Sequence, residues 1–87
     1  MMMKNYEEPQ EFFLKIEGHD HLLGRILIHA TLEFEIGQVF NAEIDIVQKE
    51  SKKIWLHVGY LFKLSSQEEA IELSVQKIAN FLKKGNH

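Results

Sequence analysis

Four segments of this chain obey one parity rule, with apolar side chains at even positions and mostly polar ones at odd positions. Across positions 26–36 the even residues are Ile26, Ile28, Ala30, Leu32, Phe34 and Ile36; across 54–64 they are Ile54, Leu56, Val58, Tyr60, Phe62 and Leu64. Shorter copies read Phe12, Leu14, Ile16 and Phe40, Ala42, Ile44, Ile46. Successive side chains of a strand point to opposite faces, so a period of two marks strands buried on one face. Such half-buried strands belong to an antiparallel sheet rather than to a parallel sheet sandwiched between helices.

Turn chemistry divides the pattern. Gly18-His19-Asp20-His21, Gly37 and the polar run Lys49-Glu50-Ser51-Lys52-Lys53 separate strands expected at 11–17, 23–36, 39–48 and 54–64. The period then changes. Ser65 and Ser66 each stand three residues before a glutamate, Glu68 and Glu69, in capping-box register. Beyond them Ile71, Val75, Ile78 and Leu82 recur at helical spacing, Lys83 and Lys84 close the segment, and Gly85 stops it. The expected fold is α+β: a four-stranded antiparallel β-meander followed by one C-terminal α-helix packed on one face. Residues 1–9 read as a mobile N-terminal arm and residues 10–87 as a single α+β domain.

The parity rule places Ile28, Leu32, Ile44, Leu56, Val58, Phe62, Ile71, Val75 and Ile78 in the core between sheet and helix. One helix, about 10–12 Å wide, cannot cover four strands spaced about 4.8 Å apart, so part of the even face should be bare. Gly59, in the middle of the fourth strand, marks an expected bulge.

The odd face is richer in apolar residues than a solvated surface. Three-residue turns at 19–21 and 37–39 would gather Phe13, Leu27, Val47 and Trp55 near one end, among Lys15, Arg25 and Lys53. Aromatic rings among cations are what single-stranded nucleic acids stack and pair on. The net charge of −3 opposes strong nucleic-acid binding. In the order of its elements the chain resembles arm-type DNA-binding domains of integrases and double-stranded RNA-binding domains. The helix opens on acidic residues, its basic residues are Lys77, Lys83 and Lys84, and no RNP-type or KH-type motif is present.

The same register sets Asp45 beside His57, with His29 one row away, a weak polar cluster that could orient a general base. The chain has no cysteine, no glycine-rich phosphate loop and no HExxH helix. These features give the expectation of a noncatalytic binding or adaptor protein without metal or cofactor, self-associating as a twofold homodimer through exposed sheet surface. A different protein partner is a further expectation, and a nucleic-acid-binding module is the alternative. No membrane span and no secretion-signal core can be read from the sequence, which makes the cytoplasm the expected location.

Overall fold

The computed structural model describes residues 8–84, and most of the expected N-terminal arm, together with Gly85, lies outside them. The architecture is α+β. Strands β1 (Gln10–Lys15), β2 (Leu22–Glu33), β3 (Gly37–Gln48) and β4 (Ile54–Leu64) form one open antiparallel sheet in the order β1-β2-β3-β4, and helix α1 (Gln67–Lys84) packs on one face. No helix among the described residues is long and apolar enough to cross a membrane.

The serine pair divides the capping work. Ser66 is the N-cap, its hydroxyl accepting from the Glu69 backbone N–H at 3.0 Å, and its carbonyl accepts the first helical bond from Ala70. The Glu69 carboxylate reaches back to accept from both the backbone N–H and the hydroxyl of Ser65, each at 2.8 Å. Those bonds hold its pKa below the ordinary glutamate value. Their contribution is therefore full above the ordinary glutamate range and fades as acidification protonates the carboxylate.

The helix meets the sheet through Ala70, Ser74 and Ile78, all buried; of the expected stripe Ile71, Val75, Ile78 and Leu82, only Ile78 is fully buried. Small side chains at 70 and 74 let the helix approach closely, while Ile71 and Leu73 splay to either side and pack on Ile26, Ile28, Ala42 and Leu64. Val75 is left 45% exposed. The Ser74 hydroxyl is buried without a hydrogen-bond partner. Removing an unsatisfied buried hydroxyl relieves its desolvation cost, so Ser74→Ala is expected to leave stability unchanged or raise it by about 1 kcal/mol. A loss of more than 1 kcal/mol on urea unfolding would show that the hydroxyl has a partner.

The core differs from the parity expectation in four places. Ile28, Ile44 and Ile78 are buried as expected, but Leu32 and Phe62 are each 64% exposed, and Leu56 and Val75 are also exposed. Ile26 and Ile46 take their place, each with no exposed surface, and Val47 is equally buried on the opposite face. Two causes account for Phe62 and Leu32. First, β4 runs out of step with β3: Ile46 pairs with Leu56, Ile44 with Gly59, Ala42 with Leu61 and Phe40 with Leu64, with register shifts between. Each extra residue on one strand reverses the parity beyond it. The shift after His57 makes Val58 the extra residue and turns Leu61 toward the helix, while Tyr60 and Phe62 turn away. Gly59 permits this with a φ of 156°, a conformation strained for any residue with a side chain. Second, the β2–β3 hairpin outruns its neighbours. β1 pairs only with Leu23 to Ile28, and β4 reaches no farther than Phe40, so the tip bearing Leu32 extends past both edge strands.

Candidate functional site

The face without the helix is organised in three cross-strand rows. Lys15, Leu23, Val47 and Ile54 form the first; Phe13, Arg25, Asp45 and His57 the second; Glu11, Leu27, Glu43 and Tyr60 the third. The expected gathering of Phe13, Leu27, Val47 and Trp55 is thereby divided, because Arg25 and Asp45 stand between Val47 and Leu27. The turns explain the displacement. The chain between β1 and β2 is six residues long instead of three, and the β2–β3 turn uses Phe34, Glu35 and Ile36 instead of 37–39. Gly37, with φ at 101°, opens β3.

Individual candidates fall out as follows. Val47 has no exposed surface, so it offers nothing to a partner, whereas Trp55 is 52% exposed in the β4 irregularity between Ile54 and Leu56. Phe13 is partly exposed, with the Lys52 ammonium 5.6 Å from its ring centre. Lys15 and Lys53 are exposed, and Leu27 is half-buried. His29 pairs with Asn41 and stands apart from Asp45 and His57.

A polar chain built on Arg25, Asp45 and His57 of the second row, with Glu11 from the third, crosses the sheet. Asp45 is fully buried on β3 and both its oxygens are used: Oδ1 bonds His57 Nδ1 at 2.8 Å and Oδ2 accepts from Arg25 Nη1 at 2.7 Å. The Arg25 Nε–H donates to Glu11 on β1, so Glu11, Arg25, Asp45 and His57 link all four strands. Burial opposes the Arg25 charge, but hydrogen bonds and Coulomb attraction to Glu11 and Asp45 outweigh it and raise its pKa above the ordinary arginine value. An ionised carboxylate can only accept, so the bond to Asp45 has Nδ1 of His57 as its donor.

That geometry could orient a general base, yet no serine or threonine hydroxyl bonds His57 among the described residues, and the chain has no thiol. Glu43, Asp45 and His57 also offer ligand atoms within 4.8 Å of one another. Arg25 already occupies this group, with Nη1 2.7 Å from Asp45 and 3.9 Å from Glu43. A metal ion there would face a fixed positive charge and compete for an oxygen already in use. The chain is therefore best suited to aligning the four strands.

Around it lies apolar surface. Tyr60 stacks on Phe62 at 5.8 Å between ring centres and meets the His57 ring at 4.8 Å. Tyr60, Phe62, Trp55 and Ile54 are all more than half exposed. Tyr60 and Phe62 carry even numbers, so parity places both on the even face and Phe62 in the core; Gly59 is the one sequence signal that the parity changes before them. Comparison with protein-family models, curated proteins and solved structures finds no match for this chain.

Proposed function

We propose that this chain is a noncatalytic binding or adaptor protein that self-associates through the sheet surface its helix leaves uncovered. The observation that carries this reading is the exposed aromatic row His57, Tyr60 and Phe62 along β4, with Trp55 close by in the strand. Contiguous exposed aromatics on a small domain are favoured interface anchors, because large rigid rings bury much area at little entropic cost. The rings stand on a rigid base, since His57 is held by Asp45 and Asp45 by Arg25. A second copy is the favoured occupant, as a twofold dimer needs only one self-complementary patch.

The alternative, a nucleic-acid platform, draws less support. Arg25 is the cation nearest the centre of the face, and it is enclosed by Glu11, Glu43 and Asp45. A guanidinium neutralised by carboxylates offers little to a phosphate.

Trp55 reports on the self-association directly. Its emission should shift to the red on dilution as the copies separate, and Tyr60→Glu should weaken association by about 2 kcal/mol or more, roughly thirtyfold in Kd. Emission independent of concentration, together with an unaltered elution volume for Tyr60→Glu, would contradict the reading.

A further inference from the structure

The helix-bearing face has two features that the fold itself does not explain, one at each end of β2. At the hairpin tip Phe34 is 90% exposed, with Leu32 and Ile36 exposed beside it. Glu35 holds a φ of 75°, a left-handed conformation that costs a residue with a side chain about 1–2 kcal/mol. Glycine or asparagine would suit the turn better, and a polar residue would suit position 34 better. At the other end the helix does not reach β1, and a groove of about 500 Å³ opens between them. Leu14, Ile16, Val75 and Leu82 line it, and its rim carries Lys15 and Lys83 against a single acidic residue, Glu17.

We propose that each groove receives the hairpin tip of a second copy, with Phe34 and Ile36 seated on the apolar lining and Glu35 facing Lys15 and Lys83. Charge complementarity selects this occupant, since the tip is apolar and acidic and the groove apolar with a net basic rim. The spacing allows the exchange to be reciprocal. Gly24, which lines the groove, and Phe34 are ten residues apart on one strand and its turn, about 33 Å at the usual rise. Leu32 and the groove belong to the same face. A twofold axis parallel to the sheet, lying above its helix-bearing face and perpendicular to β2 at its midpoint, therefore brings each tip to the groove of the other copy. The contact closes on itself, and every interaction is made twice. Each phenylalanine ring buries about 150–250 Å², so paired Phe34 and Ile36 supply much of what a small specific interface needs.

This inference rests on the self-association reading but uses the opposite face of the sheet, so its test is made in a chain carrying Tyr60→Glu. The natural chain has no cysteine. Phe34→Cys combined with Leu82→Cys puts two thiols too far apart within one copy for a disulfide, which needs Cα atoms within about 7 Å. Oxidation should give one covalent species of about twice the chain mass, and neither single cysteine variant should give it in comparable yield. Monomer alone would overturn the contact, and a ladder of higher masses would overturn its reciprocity. Without cysteines, the Tyr60→Glu chain should remain dimeric at tens of micromolar and become monomeric when Phe34→Asp is added, with its circular dichroism unchanged. A Tyr60→Glu chain that is already monomeric would overturn the tip contact and leave the open-face reading standing. A natural chain that never associates would overturn both.

Discussion

Asp45→Ala is expected to destabilise the protein by about 3–5 kcal/mol, the usual cost of breaking a buried ion pair by removing one partner. Asp45 is fully buried and serves Arg25 and His57 together. Its loss leaves a largely buried guanidinium with only Glu11 and the more distant Glu43. Total stability of a small domain is about 5–15 kcal/mol, so the variant should lose much of its margin. The penalty comes from the orphaned charge rather than from the pair's net strength. Replacing both residues, as Arg25→Met with Asp45→Leu, should therefore cost much less than Asp45→Ala alone. Urea unfolding of the three chains decides this, and a double variant as unstable as the single one would contradict it.

Ile44→Ala should cost about 2–5 kcal/mol, since Ile44 has no exposed surface and lies on the helix-bearing side of a central strand. At about 4–8 °C per kcal/mol for a domain of this size, the melting temperature should fall by about 10 °C or more. Leu56→Ala makes the informative contrast. Parity alone gives Leu56 the same weight, but its side chain is 38% exposed, so it should lose distinctly less. Equal losses at the two positions would contradict the partial exposure of Leu56.

These contrasts mark where the sequence was legible. Strand existence, order and the helix were readable because each rests on a local signal: the period of two, the turn residues and the Ser66 cap. The Asp45–His57 contact was readable too, because it lies between the β4 irregularities at Trp55 and Val58, where the register expected from a five-residue turn at Lys49 to Lys53 holds. Past Val58 the alternation still looks regular in the sequence while the strand has changed faces, which hid Tyr60 and Phe62. Register on the other side depended on where the chain turns. Gly37 suits both the inside of a turn and the start of a strand, and choosing the former moved β2 against β3 by enough to hide the pairing of Arg25 with Asp45. The helix face was misjudged because large apolar residues were weighted over Ala70 and Ser74, whereas close packing on a sheet favours small ones.

The central claim is self-association through uncovered sheet surface, and the molar mass of the natural chain in solution tests it most directly. Light scattering across a dilution series from hundreds of micromolar to below one micromolar should show the mass falling from at least about twice the 10.2 kDa chain mass toward a single chain. Tyr60→Glu should displace that transition to higher concentration. A constant 10.2 kDa throughout the series would contradict the account, and would leave Trp55, Tyr60 and Phe62 as the binding surface for a different protein.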